Sequence, residues 1–140
     1  MEISNKSIIV TGGANGIGKA LAKAFKGAGA AYVLIADLDD IEGEKTAKEI
    51  DVKFKKTNVA VESEIIDLIN TANEEAGRID IFCSNAGIGG APMLLDVTTE
   101  DWQNIWEVNV MSHIHAAKNV LPQMLEPVSY THLRAHETQR

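Results

Sequence analysis

The sequence predicts an α/β protein, a three-layer αβα arrangement with a parallel sheet between helices, and three observations carry that prediction. Ile8-Ile9-Val10 and Tyr32-Val33-Leu34-Ile35-Ala36 are continuous apolar runs, as strands buried on both faces of a parallel sheet require, whereas a half-solvated strand would alternate. Between such runs the apolar spacing changes to that of amphipathic helices. The first run passes into the first helix through three spaced glycines, Gly12, Gly16 and Gly18, so that a helix N-terminus lies at the carboxyl end of a strand.

From Ile17 onward, Ile17, Leu21, Ala24, Phe25 and Ala28 fall on one helical face, with Lys19, Lys23 and Lys26 largely off it. The first turn of a helix holds backbone N–H groups without partners and about half a positive charge, so a pyrophosphate can bind there with no cationic side chain. Gly12 then allows a tight turn, Gly16 lets the backbone approach the phosphates, and Gly18 lets the helix pack closely on the strand. A glycine-rich turn alone can bind nothing. Here it follows a strand pattern, and an acid, Asp37, ends the next strand about twenty residues on, where a ribose hydroxyl would be held.

The spacing Thr11-Gly12-x-x-x-Gly16-x-Gly18 resembles the short-chain dehydrogenase/reductase family, NAD(P)-dependent oxidoreductases on a Rossmann fold. The shorter subtype is indicated, because the extended one would want a glycine where this chain has Asn15. The resemblance runs from about residue 6 to about residue 125 and corresponds to the first half of such an enzyme. It implies a cofactor-binding role for Thr11, Gly12, Asn15, Gly16, Ile17 and Gly18.

The second strand delivers Asp37 at its tip. A carboxylate there can accept hydrogen bonds from both hydroxyls of an adenosine ribose and would repel a 2′-phosphate, which favours NAD over NADP. No arginine or lysine stands at Ala14, Asn15 or Leu38, where NADP-using relatives commonly carry one; Asp37 and Leu38 are therefore both taken as cofactor-binding. Asp39 and Asp40 look like the caps of the next helix, 42–50, which leaves Asp37 for the ribose. Val52-Lys53-Phe54-Lys55 alternates as a strand near a sheet edge would and ends in Thr57-Asn58-Val59. The resemblance implies an adenine contact here through an Asp followed by an apolar residue. Asn58 replaces that acid beside Val59, and its amide can still accept a bond from the adenine amino group.

Residues 62–76 form the clearest helix, with Ile65, Ile66, Leu68, Ile69 and Ala72 on a wide apolar face and Gly77 ending it. Ile79-Asp80-Ile81-Phe82-Cys83-Ser84 is the fourth strand. Asn85-Ala86-Gly87 follows directly and matches the family's N-A-G motif, whose small residues let the backbone lie against the cofactor's second ribose. Ser84 stands where the family often has another Asn. Residues 87–97 form a loop located where substrate-side loops lie in the family. Thr99, with Glu100 and Asp101 in the first turn, starts a long helix through Trp102, Ile105, Trp106, Val108 and Ile114 to about Leu121. Asn109 sits inside it, a poor helix former whose side chain competes for backbone bonds. It is either exposed on a solvent face or, as the resemblance implies through Asn109-Val110, the catalytic Asn that bends the helix and helps hold a water on the proton-relay path.

The family's catalytic Ser and Tyr-x-x-x-Lys pair would come some tens of residues beyond Asn109, on a fifth strand and helix, and are absent. The resemblance therefore implies a sheet truncated after four strands and a fragment that binds dinucleotide at most; the alternative is a non-catalytic dinucleotide-binding module. Tyr130 and Arg134 imitate the spacing, but they come too soon, Ser129 is adjacent, and no fifth strand precedes them. His132 and His136 imitate an i,i+4 metal pair without the Glu of H-E-x-x-H, and His113 and His115 point to different faces of their helix, so no metal site is expected. Residues 1–126 are read as the N-terminal part of a single NAD(P)-binding domain. Residues 127–140 show no period of either kind, and residues 128–138 resemble one reading frame of a transposon-end adapter used in sequencing libraries. A non-native disordered tail is expected, with a disordered natural C-terminus as the other reading.

Composition narrows the rest. A chain of 140 residues with 45% apolar content fits one soluble globular domain. A net charge of −7 argues against nucleic acid or an anionic membrane as partner. Met1-Glu2-Ile3-Ser4-Asn5-Lys6 is not a signal peptide and no stretch approaches the ~20 apolar residues of a membrane span, which gives a cytoplasmic expectation. Cys83, the only cysteine, is expected to be a small buried hydrophobe and not a nucleophile. The resemblance implies a small alcohol or ketone substrate, and the long helix from Thr99 resembles one that relatives use for association, so a homo-oligomeric parent is expected.

Overall fold

Four parallel strands, β1 (Ser7–Thr11), β2 (Tyr32–Asp37), β3 (Lys53–Lys56) and β4 (Ile81–Cys83), pair in the order β3-β2-β1-β4 in the computed structural model of the chain. It describes residues 1–90 and 93–127. Apart from Pro127, the expected non-native tail at 127–140 lies outside the described residues, and so do Ser129, Tyr130, His132, Arg134 and His136. The helices are α1 (Gly16–Gly27), α2 (Asp40–Ile50), α3 (Glu62–Ala76), α4 (Thr99–Trp106) and α5 (Ser112–Leu125). None among the described residues is long and apolar enough to cross a membrane.

The continuous apolar runs are explained by helices on both faces. Successive side chains of a strand point to opposite sides, and here each side has its own core. Ile9, Leu34 and Ala36 pack with Ile65, Leu68, Ile69 and Ala72 of α3 and with Ala116 and Val120 of α5. Ile8, Val10, Val33 and Ile35 pack with Ala22 of α1 and with Ala47 and Ile50 of α2. The register sets Ile9 between Leu34 and Phe82. This is the Rossmann-type three-layer arrangement. The alternating pattern of the third strand is also accounted for, because β3 lies at the sheet edge.

Several boundaries differ from the sequence expectation. Helix α2 starts at Asp40 with Asp39 as its cap, the Asp39 carboxylate accepting from the Glu42 N–H at 3.0 Å. Ile66 of α3 is 38% exposed, so that helix buries a narrower face than its apolar residues suggest. β4 is three residues long instead of 79–84: before it the Ser7 N–H donates to the Asp80 carboxylate at 2.9 Å, and after it the Asn85 N–H donates to the Thr11 hydroxyl. Helix α4 begins at Thr99, but its cap is Thr98: the Thr98 hydroxyl accepts from the Asp101 N–H and the Asp101 carboxylate accepts from the Thr98 N–H, a reciprocal capping box. The single long helix is interrupted at Glu107–Met111 by one wider turn of π-type winding, and α5 then continues to Leu125.

Candidate functional site

A cleft of about 370 Å³ lies along the carboxyl ends of the strands, within the usual size of small-molecule sites. At its centre, β1 gives way to a turn that is stitched to its neighbours. The Gly13 N–H donates to the Ala36 carbonyl at 3.1 Å, the Ala14 N–H to Asp37 Oδ2 at 3.0 Å, and Thr46 Oγ1 to the Ala14 carbonyl at 2.6 Å. Gly12 has φ +66° and lies so near the Asn-Ala-Gly segment that a Cβ on it would come within 2.9 Å of the Ala86 Cα. A Cβ on Gly18 would run into the Gly12 carbonyl.

Gly16 differs from both. Its φ is +53° and nothing lies within 4 Å of where a Cβ would stand, so this side of the turn opens into the cleft. Asn15 holds the N-cap position of α1 without capping through its side chain, and the first turn carries no acid. The N–H groups of Gly16, Ile17 and Gly18 take no acceptor among the described residues. Unpartnered donors, the positive end of the helix dipole and unfilled space beside Gly16 together fit a phosphate group.

On one side of this turn stand Asp37 and Leu38, both on the cleft wall. Asp37 is not left wholly free, as the sequence reading had it. Its Oδ2 accepts from the Ala14 N–H, and its Oδ1 from the Asp39 N–H at 3.1 Å. Each oxygen keeps a lone pair, so these two donors aim the carboxylate without exhausting it. Beyond Asp37 come Thr57, Asn58 and Val59. The Thr57 N–H ties the end of β3 to the Asp37 carbonyl at 2.8 Å. Asn58 Oδ1 accepts from the Ala60 N–H at 3.0 Å, which ties the side chain to the turn that starts α3 and leaves the oxygen its second lone pair.

On the other side, Asn85, Ala86 and Gly87 line the cleft. Thr11 does not; it is 2% exposed and lies beneath them. Its hydroxyl accepts from the N–H groups of Asn85 (3.0 Å) and Ala86 (3.1 Å) and donates to the Cys83 carbonyl (3.4 Å), while Asn85 Nδ2 donates back to the Thr11 carbonyl (3.0 Å). Asn109 is also absent from the cleft wall. It lies in the wide turn, where its Oδ1 accepts from the Ile88 N–H and its Nδ2 donates to the Ile88 carbonyl, both at 2.8 Å. This pair of hydrogen bonds to one residue's backbone rules out a free solvent-facing Asn and makes Asn109 the clamp of the segment after Gly87.

Three wall residues were not singled out from sequence: Thr57, Ile88 and Val108. Thr57 and Ile88 adjoin chosen motifs and were within reach of the pattern. Val108 depends on the wide turn, which no periodicity announces. Ser84, noted only as a departure from the family, has its Oγ 2.6 Å from His113 Nδ1. His115 faces elsewhere, with Nδ1 3.5 Å from Glu62 Oε2 on α3. Cys83 is half-buried and burial pushes its thiol pKa up, which disfavours the nucleophilic thiolate.

The profile of the family described as short chain dehydrogenase matches residues 6–129. The chain is 30% identical over 130 residues to the CLA biosynthesis dehydrogenase/reductase of Lactiplantibacillus plantarum, covering 89% of this chain and 45% of that protein. It is 34% identical over 136 residues to the meso-2,3-butanediol dehydrogenase of Serratia marcescens, covering 90% and 51%. Among solved structures, a short chain dehydrogenase/reductase from Burkholderia phymatum in complex with NAD superposes with a TM-score of 0.85 at 27% identity, covering 89% of this chain and 46% of that one. The chain thus spans about half the length of the relatives it matches.

Proposed function

The chain belongs to the short chain dehydrogenase family, and from that membership we propose that its parent is an oxidoreductase that moves a hydride between a nicotinamide cofactor and a secondary alcohol or ketone. The observation that carries this is the uncapped first turn of α1, opening beside Gly16 into a cleft that has the Asp37 carboxylate on one side and Asn85-Ala86-Gly87 on the other. The N–H groups of Gly16, Ile17 and Gly18 would hold the pyrophosphate, and Asp37 would accept from the adenosine ribose hydroxyls. Asn58 and Val59 would border the adenine, and the Asn-Ala-Gly backbone the second ribose. When bound, the nicotinamide ring supplies the hydride acceptor. NAD is preferred over NADP because a carboxylate beside the ribose opposes a 2′-phosphate. The NAD-bound relative supports the choice of a nicotinamide cofactor, and the butanediol dehydrogenase supports a secondary alcohol as substrate.

For Asn109 the proposed role is to shape the helix around a water on the proton-relay path, supported by the wide turn in which it lies. Hydride transfer also needs a group that takes the hydroxyl proton, and in this family that is the Tyr of Tyr-x-x-x-Lys, with Ser orienting the substrate oxygen. A phenol of pKa about 10 needs a neighbouring cation before it can act as a base near neutrality. Residues 1–126 are accordingly proposed to be the N-terminal part of one dinucleotide-binding domain, inactive alone, and 127–140 a non-native tail. Trp102, Trp106, Ile114, Leu121 and Leu125 are exposed along α4 and α5, which supports a homo-oligomeric parent. A cytoplasmic setting completes the proposal.

The test is to follow NADH absorbance with a panel of secondary alcohols, for this chain and for the protein encoded by its uninterrupted genomic frame. Turnover by the complete protein and none by the chain is expected. A frame without Ser and Tyr-x-x-x-Lys after residue 125 would favour a non-catalytic dinucleotide-binding module, and robust turnover by the chain alone would overturn the assignment of the catalytic groups.

A further inference from the structure

We infer that Asn15 is a modification site: its side-chain amide is lost spontaneously through a ring closed with the Gly16 nitrogen, and the resulting acid blocks the turn against phosphate. The second half rests on the dinucleotide reading proposed above, and the first half does not. An asparagine amide is lost when the backbone nitrogen of the next residue attacks the side-chain carbonyl carbon. The Gly16 nitrogen gives up its proton to solvent, bonds to Cγ of Asn15 and expels ammonia, leaving a cyclic succinimide. Water then opens the ring at either carbonyl, giving aspartate or an isoaspartate whose main chain runs through the side-chain carbon. One water enters, one ammonia leaves, and nothing is oxidised or reduced.

The attack needs an uncrowded nitrogen, an N–H that holds no acceptor, a side-chain amide free to turn, and access to water. Asn15 meets all of these conditions. Gly16 has no side chain, and nothing lies within 4 Å of where a Cβ would stand. Its N–H takes no acceptor among the described residues. The Asn15 side chain does not cap α1 and takes no other hydrogen bond among the described residues. Both residues are exposed and line the cleft.

No other asparagine meets them, and none of the others precedes a glycine. Lys6, after Asn5, donates its N–H to the Ile3 carbonyl at 3.1 Å, and Ala86, after Asn85, donates to Thr11 Oγ1 at 3.1 Å. The Val59 N–H, after Asn58, takes no acceptor among the described residues. Its branched side chain crowds the nitrogen, however, and the Asn58 amide is held by the Ala60 N–H. The remaining asparagines lie within helical turns, where the next N–H is bonded along the helix.

The product is an acid at the N-cap position of α1. An aspartate there accepts from the N–H groups of Ile17 and Gly18 that would otherwise hold a pyrophosphate, and it sets a negative charge where the ligand brings its own. Isoaspartate also lengthens the main chain by one carbon and so displaces the Gly16 N–H. The modified turn gains a helix cap and loses its anion site.

The experiment ages the 140-residue chain without ligand in mildly alkaline buffer and reads each asparagine-bearing peptide by mass spectrometry, with isoaspartyl methyltransferase labelling any isoaspartate. The peptide of Asn15 should gain the mass of an amide turned acid before any other. Titration calorimetry with NAD then compares the fresh chain, the aged chain and Asn15→Asp. The aged chain, which needs no variant to fold, should lose binding sites in step with its modified fraction, and Asn15→Asp should bind about tenfold or more weakly. Thermal unfolding of Asn15→Asp should stay at or above that of the fresh chain, which a merely structural loss would not do. Another asparagine reacting first, or Asn15 left intact, would overturn the site. Equal binding by the fresh and aged chains would overturn its effect. Modification at Asn15 in a chain that never bound NAD would overturn the dinucleotide reading and leave the modification site standing.

Discussion

Replacing Thr11 with valine should destabilise the chain out of proportion to the size of the change. Valine has the shape of threonine without the hydroxyl, so the 2%-exposed site keeps its packing and loses only its hydrogen bonds. Three go: those from the N–H groups of Asn85 and Ala86 and the longer one to the Cys83 carbonyl. A buried donor left without an acceptor costs about 1–3 kcal/mol. Asn85 and Ala86 are only half-buried, so water relieves each to the lower end, and the sum comes to about 2–3 kcal/mol. The bond from Asn85 Nδ2 to the Thr11 carbonyl survives, because it uses only the backbone of residue 11. Thr11→Ser is the matched control: it keeps the hydroxyl, loses one methyl and should cost about 1 kcal/mol. Urea unfolding at equal slope reads the difference. A Thr11→Val stability within about 0.5 kcal/mol of the unaltered chain, the range of an inconsequential surface change, would refute the reasoning, and so would a serine variant less stable than the valine one.

Asp37→Ser should abolish the proposed preference for NAD, since a like-charge contact with a 2′-phosphate is worth on the order of one to a few kcal/mol, about tenfold or more in affinity; titration with both cofactors decides, and an unchanged preference would count against Asp37. Gly43→Ala in α2 should lower the midpoint of thermal unfolding, because the added methyl meets the ring of Phe54 on β3, an overpacking worth about 1–3 kcal/mol against roughly 1 kcal/mol gained in helix propensity; a more stable variant would contradict it. The Glu62 carboxyl is held below the usual carboxylate range, first by the side-chain hydrogen bond from Asn119 and then by that from Lys118, which join α3 to α5. A group whose pKa is lowered by folding stabilises above its unfolded value and loses that contribution as pH falls through the folded one. Glu62→Gln should therefore be less stable than the unaltered chain at neutral pH, with the gap closing as pH falls below the ordinary carboxylate range, and a pH-independent gap would show that charge plays no part.

The order and type of the elements were legible because they are set by interactions that are local or that depend only on periodicity. Buried strands flanked by helices must be continuously apolar, as Ile8, Ile9 and Val10 are, and α3 announces both its face and its end through Leu68, Ile69, Ala72 and the left-handed Gly77. The glycine turn was legible for the same reason, since a positive φ at Gly12 and Gly16 is a demand on one residue that one residue type meets cheaply. Most of the residues placed from sequence at the cofactor, Gly12 and Asp37 among them, are on the wall of one cleft. What each polar side chain does there was decided only by the tertiary structure. Thr11 finds partners more than seventy residues away, Asn109 finds Ile88, Ser84 finds His113, and the Asn58 oxygen is oriented by the Ala60 N–H. A hydrogen-bond donor or acceptor is satisfied by whichever group the fold brings within about 3 Å, and distance along the chain says almost nothing about which group that will be. Periodicity, by contrast, is a property of the chain itself, which is why this sequence determined its layers and its phosphate turn, while the folded molecule decided which polar atoms remain free to bind.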